Sequence, residues 1–155
     1  MKMEFAAPMR FVYRWCTDYR PGDDQLAGDR FERRILSRSG RRVLFEDLWW
    51  ERDGWRWRRN DVSLRPPDRW VSNSLGNVRE AQIEYTLTPL AGDRTRFEIR
   101  MHRRPTSRVR RQPPKRELEK ELIEMWDNYR RSLEADYRRS RSRRAKTGSP
   151  KRTRR

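Results

Sequence analysis

Apolar and polar positions alternate most cleanly in two stretches of the chain. Ile83, Tyr85 and Leu87 face one way and Glu84 and Thr86 the other. Phe97, Ile99 and Met101 repeat the pattern against Glu98 and Arg100. A period of two is that of a half-buried strand. These two close a series of six predicted strands, at about 30–37, 42–51, 55–64, 69–74, 80–89 and 94–103. The turn dipeptides Ser39-Gly40, Asp53-Gly54 and Gly92-Asp93 sit between aromatic and branched runs, and Pro66-Pro67 breaks the chain between the third and fourth strands. The series predicts an antiparallel meander.

Helical periodicity flanks the meander. Met1 to Phe5 alternates like a short edge strand; Pro8 then suits a first helical turn, and Phe11, Val12, Trp15 and Tyr19 recur at helical spacing. Pro21-Gly22-Asp23-Asp24 stops that helix and leaves room for at most one further turn. Arg103 to Pro113 reads as a basic connection, and Pro114 opens a long helix running to about Arg139. Its apolar stripe is Leu118, Leu122, Met125, Trp126, Tyr129, Leu133 and Tyr137. Lys115–Glu119, Asp127–Arg131 and Glu134–Arg138 have the spacing of ion pairs on the rest of its surface.

Composition alters this picture at one end. Of the 155 residues 41% are charged and only 33% hydrophobic, which alone would suggest disorder. Seven Trp, five Tyr and five Phe oppose that, since each buries a large apolar area. The charge is also uneven. Ten basic residues and no acid lie from Arg138 onward, leaving +7 of the net +17 for the first 137 residues. Residues 1–139 therefore read as one folded domain of the α+β class. Residues 140–155 read as a disordered basic tail, with no apolar residue larger than Ala145 to bury.

Chemistry is bounded mainly by exclusion. The single Cys16 excludes an internal disulfide and a CxxC knuckle, and with one histidine, His102, a zinc site would need mostly carboxylates. No metal or cofactor is expected. Arg10 and Arg14 interrupt any apolar leader, and no apolar run reaches the length of a membrane span, so a cytoplasmic location without a transmembrane segment is expected. No Ser-centred elbow, Walker loop, GxGxxG or HExxH occurs.

The order strand, helix, long antiparallel meander, long amphipathic helix is uncommon. Local features accompany it: Phe5-x-x-Pro8, Trp15-x-x-Asp18, Arg33-Arg34-Ile35, Val43-Leu44-Phe45-Glu46-Asp47, and Glu84-Tyr85-x-Leu87-x-Pro89 before Thr95-Arg96-Phe97. Over about residues 1–139 the chain resembles the START-like helix-grip fold of the SRPBCC superfamily, which includes polyketide cyclases, coenzyme-Q-binding proteins and lipid carriers. The resemblance implies a sheet curled around the C-terminal helix, with a hydrophobic small molecule or lipid held between them. Two alternatives stand beside it: an enzyme of cyclase or aromatase type using the same cavity, and a ribosome- or RNA-associated protein acting through its basic tail, which is not part of the family pattern.

Hairpin arithmetic points to residues on the concave face. With Asp53-Gly54 as a two-residue turn, Trp50 pairs with Trp57, Asp47 with Asn60 and Phe45 with Val62. With Ser39-Gly40 as another, Glu32 pairs with Asp47, Arg34 with Phe45 and Leu36 with Val43. One face then holds Leu36, Val43, Phe45, Trp49, Val62 and Leu64, together with Glu32, Arg34, Asp47 and Asn60; this is taken as the concave one. The opposite face carries Arg33, Glu46, Arg59 and Asp61, but also Ile35, Leu44, Leu48, Trp50 and Trp57, so parity alone leaves both faces open.

Arg34 or Asp47, with Asn60, could orient the polar head of a ligand; the same groups also fit an internal ion pair. Trp49, Trp70 and Trp126 could line the cavity with Tyr85 and Tyr129 offering hydroxyls, or could fill a core. His102 falls on the outward parity of its strand and Cys16 reads as a packed thiol. Among the 40 basic residues only five are Lys. Guanidinium forks suit phosphates, so Arg141, Arg143, Arg144 and Arg152 are candidates for weak contact with nucleic acid or an anionic surface, or else simply solubilise the chain.

Overall fold

The computed structural model of the chain describes residues 1–27, 31–51, 54–77, 80–104 and 114–147. The elements are β1 (Lys2–Phe5), α1 (Met9–Cys16), α2 (Asp23–Ala27), β2 (Glu32–Ser39), β3 (Arg42–Glu51), β4 (Gly54–Arg65), β5 (Arg69–Gly76), β6 (Glu80–Leu90), β7 (Arg94–Arg104) and α3 (Lys115–Thr147). The strands form a seven-stranded antiparallel sheet in the order β1-β7-β6-β5-β4-β3-β2. Five hairpin connections build the meander from β2 to β7, and β1 adds to the outer edge of β7. The sheet is curved and open and wraps around α3, which is the helix-grip fold.

The inner face is continuous across the strands. The register couples Phe45 to Asn60, Val62 to Ser72, Trp70 to Tyr85 and Leu87 to Phe97, so all of these point the same way. Val43, Phe45, Val62, Trp70, Leu87, Phe97 and Ile99 from this face join Phe5, Val12, Trp126 and Leu133 in the buried core. From α3, Leu122, Met125, Tyr129 and Tyr137 pack against it, as the apolar stripe predicts. The outer face keeps a cross-strand pair, Trp50 and Trp55, that is 62% and 58% exposed with rings 5.2 Å apart.

Short polar contacts hold the grip together. Pro8 precedes α1, and its carbonyl accepts from the Phe11 and Val12 N–H groups at 2.9 and 3.1 Å. The buried Thr95 hydroxyl donates to the Ala7 carbonyl at 2.7 Å. On α3, Glu134 accepts from the Ala6 N–H at 2.9 Å and lies 3.9 Å from Arg130, so it serves the chain entering α1 rather than the expected Arg138. The other two expected pairs form, Lys115–Glu119 at 3.8 Å and Asp127–Arg131 at 2.6 Å.

Two expectations change. α3 does not stop near Arg139 but runs to Thr147, so residues 140–147, expected to be disordered, are helical. Arg, Ser, Ala and Lys tolerate a helix without burying anything, and no Gly or Pro intervenes before Gly148. The Ser140 and Ser142 hydroxyls donate to the carbonyls of Tyr137 and Arg138. Residues 148–155 lie outside the described part.

The second change concerns the register of both hairpins. The β3–β4 hairpin closes with Glu51 opposite Gly54, and β2–β3 with Ser39 opposite Arg42. Asp47 therefore faces Arg58, not Asn60. Each turn sits one residue from its expected place, which alone leaves the faces as expected. In β2, however, a bulge between Ile35 and Ser37 shifts the pairing, so Ile35 faces Phe45 and Arg33 faces Asp47. Arg33 and Ile35 turn inward, and Glu32, Arg34 and Leu36 are exposed.

Phe97, fully buried between Phe5 and Trp126, tests where the core lies. Phe97→Ala is expected to lower unfolding stability by about 3–5 kcal/mol in urea titration, whereas Trp55→Ser on the outer face should change it by no more than about 0.5 kcal/mol.

Candidate functional site

Asp47 sits on β3 with no solvent exposure, and its two oxygens collect guanidinium groups from both neighbouring strands. Arg33 on β2 donates through Nε to Oδ1 at 2.7 Å and through Nη2 to Oδ2 at 3.1 Å. Arg58 on β4 donates through Nη2 to Oδ2 at 2.7 Å. The free edge of Arg33 reaches Asp23 at the start of α2, Nη1 to Oδ2 at 2.8 Å. Two carboxylates and two guanidinia thus form a neutral chain from α2 across three strands. A buried carboxylate without such partners would cost several kcal/mol.

Aromatic rings complete the cage. The Arg33 guanidinium lies 4.3 Å from the Phe45 ring centroid, 5.1 Å from Phe31 and 6.0 Å from Tyr19. Tyr19 follows α1 with φ of 44°, a conformation uncommon for a bulky residue, and its ring lies 5.0 Å from Phe45. Burial opposes the charge on Arg33, but the hydrogen bond and charge of Asp47 outweigh it and hold the guanidinium above its ordinary value. For Asp23 burial wins: its carboxyl is raised, with Asp18 adding to the effect and Arg33 opposing it. Burial also pushes the Tyr129 hydroxyl up, so it stays protonated and can donate.

Beyond the ion pairs, the inner face carries polar atoms with no such satisfaction. Arg58 Nε, Asn60 Nδ2, Ser74 Oγ and Trp126 Nε1 are buried without a hydrogen-bond partner among the described residues. Asn60 and Ser74 are cross-strand neighbours, and Arg58 precedes Asn60 by two on the same face. Nearby, the Ser72 hydroxyl donates to Asn60 Oδ1 at a long 3.5 Å. Gly76 lets the β5 backbone lie close against that of Trp57 and Arg58. It stands opposite Arg58, where a Cβ would lie 2.2 Å from the Trp57 carbonyl oxygen. Three of the four orphan atoms can only donate, and the serine hydroxyl can do so too. The set is suited to acceptor oxygens.

The expected site residues separate into three groups. Asp47, Asn60 and Trp49 do lie on the inner face of β3 and β4, with Trp49 5.8 Å from the Arg58 guanidinium. Trp70, Tyr85, Trp126 and Tyr129 form one contact chain with Phe97, the Trp70–Tyr85 rings stacked at 4.8 Å and Trp126–Tyr129 at 5.2 Å. Of these, Trp70 is 1% exposed and fills core. Arg34 does not belong: it is exposed, opposite Glu46 on the outer face. Arg33, Arg58, Asp23 and Ser74 take part without having been expected. Arg58 and Ser74 had a usable signal, since both share the parity of Asn60 across the meander.

Elsewhere, Arg141 and Arg143 are exposed on the extended end of α3. The side chain of Arg144, and Arg152 altogether, lie outside the described part. His102 is exposed, and burial pushes the half-buried Cys16 thiol up. Among the described residues, no group of three or more His, Cys, Asp or Glu comes together to hold a metal ion, and no helix is long and apolar enough to cross a membrane.

No protein-family profile matches the sequence, and no curated protein matches it. Solved structures share the fold. The di-domain ARO/CYC StfQ of the steffimycin biosynthetic pathway superposes with a TM-score of 0.70 at 16% identity over 90% of this chain, which spans 46% of that protein. A START superfamily protein from Mycobacterium smegmatis gives 0.65 at 16% identity, covering 90% of this chain and 95% of the other. The Zhui aromatase/cyclase from Streptomyces sp. R1128 gives 0.63 at 13% identity, covering 90% and 92%. At these identities the likeness establishes the helix-grip fold.

Two tests follow from the ion-pair chain. Asp47→Ala strands two buried guanidinia and should cost about 3–5 kcal/mol in urea unfolding, against no more than about 0.5 kcal/mol for Arg34→Ala. Asp23 has a raised folded value, so the stability tied to it is complete below the ordinary aspartate value and is lost as pH rises through the raised one. The urea midpoint of the wild type minus that of Asp23→Asn should therefore fall as pH rises from the ordinary aspartate value. A difference that grows with pH would contradict the assignment.

Proposed function

We propose that the protein binds a hydrophobic small molecule or lipid carrying acceptor oxygens, in the space between the inner face of the sheet and α3. The observation that carries this reading is the group of buried, unpartnered donors on Arg58, Asn60, Ser74 and Trp126. Buried polar groups are nearly always satisfied, and each one left alone costs about 1–3 kcal/mol. Carbonyl, carboxyl or phenolic oxygens of a ligand would satisfy them, while its apolar part would lie against Leu122, Met125 and Ile83, which are only partly buried. Asp47 serves as the anchor that holds Arg58 in place rather than as a ligand contact, because its oxygens already accept three guanidinium bonds.

The fold shared with proteins named aromatase/cyclase supports a second reading, conversion of a polyketide-like substrate. The same donors would polarise a substrate carbonyl, and the protonated Tyr129 hydroxyl would add another donor. Binding is the part common to both readings.

Native mass spectrometry of the protein purified from its own host, followed by denaturing extraction, tests the proposal. A stoichiometric apolar adduct bearing oxygen is expected. Ser74→Ala should leave the ligand-free fold as stable or slightly more so, since it removes an unsatisfied group, yet weaken retention by about 3–10-fold. A bare protein mass, with Ser74→Ala indistinguishable from wild type in retention of any added apolar ligand, would refute it.

A further inference from the structure

A concave site lies outside the grip. A groove of about 700 Å³ separates α1 from the C-terminal half of α3. α1 and the residues just past it line one wall with Phe11, Arg14, Trp15 and Asp18. α3 lines the other with Asp136, Arg139, Ser140 and Arg143. Both sets follow the same spacing of three, one and three residues, which places each on one helix face. Arg20 adds a fourth guanidinium.

Charge in the groove is unbalanced and ordered. Four guanidinia face two carboxylates, and both carboxylates are engaged: Asp18 by Arg20, Asp136 by Arg139. Asp136 also accepts from Trp15 Nε1 at 2.9 Å, which fixes the indole against the groove wall. The same helix also carries Arg141, between Ser140 and Arg143, and no acidic residue follows Asp136 in the sequence. A lone phosphate would be met by one or two of these forks. Four guanidinia along one groove match a repeating anion.

We infer that this groove binds the phosphodiester backbone of a single-stranded polynucleotide, independently of the interior of the grip. The concave shape favours a strand over a flat bilayer. Phe11 and Trp15 are held inward, 5.1 Å from Tyr137 and 6.1 Å from Tyr129, instead of projecting as wedges for lipid. Their remaining open faces supply apolar surface against which bases rest, next to arginines that hold phosphates. No element enters a duplex groove, so binding without sequence reading follows.

The test is fluorescence anisotropy of labelled oligouridylate and oligothymidylate with the full chain over a range of salt. Affinity should fall log-linearly with salt, by about 0.7 log units per log unit of salt for each phosphate contacted. The double variant Arg14→Ala, Arg143→Ala should bind about tenfold or more weakly at low salt, with a slope shallower by about one unit. A control removing equal charge from the outer face, Arg34→Ala with Arg59→Ala, should bind like wild type, and melting temperatures should show all variants folded. Equal loss in the control would reduce the effect to net charge and overturn the site. So would unchanged binding by the groove variant while replacement of Lys151, Arg152, Arg154 and Arg155 by serine abolishes it. Capture of anionic phospholipid vesicles that depends on Arg14 and Arg143, with no such dependence for the oligonucleotides, would overturn it in favour of a membrane.

Discussion

The buried carboxylate of Asp47 constrains everything around it. Ionised and without solvent, it must be matched by cations at fixed positions, and the fold supplies them from the strand on each side. The β2 bulge brings Arg33 to the inner face opposite Asp47, where the unshifted pairing of Ser39 with Arg42 would set Arg34. Arg33 in turn reaches a second carboxylate in Asp23, which ties the short α2 to the sheet. One ion-pair chain thus links α2 to β2, β3 and β4.

The same constraint divides the interior. Towards β1, β7 and β6 the inner face is apolar and aromatic, with Phe5, Phe97, Tyr85 and Trp70 packed ring on ring against Trp126 of α3. Towards β2, β3 and β4 it is polar, and there the side chains satisfy one another only in part. Beside the ion pairs the Arg58 Nε, the Asn60 amide and the Ser74 hydroxyl are left over among the described residues. A core selected for stability alone would replace Asn60 and Ser74 by apolar residues of similar size at little cost or with gain. Their presence beside the ion-pair chain is what the proposed ligand site rests on.

Legibility in the sequence followed the length and regularity of each element. β3, β4, β6 and β7 were readable because alternation over ten or so residues survives a turn misplaced by one position: Val43, Phe45, Asp47, Asn60 and Val62 keep their face either way. β2 was not, because a bulge leaves no mark in Arg33-Arg34-Ile35-Leu36, where charged and apolar residues are both available to either face. Asp23 was invisible as a site residue since a five-residue helix has no period to read. The end of α3 was misread because burial was used as the criterion, whereas the helix extends beyond its last large apolar residue, where no Gly or Pro interrupts it before Gly148.

α3 presents two sets of side chains on different faces, and its periodicity keeps them apart. Trp126, Tyr129, Leu133 and Tyr137 advance by three or four residues and follow the inner sheet. Asp136, Arg139, Ser140 and Arg143 advance in the same way but are turned towards α1 and solvent. Trp15 touches both sides, its ring meeting Tyr129 in the interior and its N–H meeting Asp136 in the groove, and Phe11 of the groove likewise packs on Tyr137. Substitutions at Arg139 or Arg143 therefore act on the groove without entering the core, and those at Ser74 or Asn60 act on the interior without altering the arginine row. The two sites can be dissected separately because a single helix presents them on faces that the 3.6-residue turn never brings together.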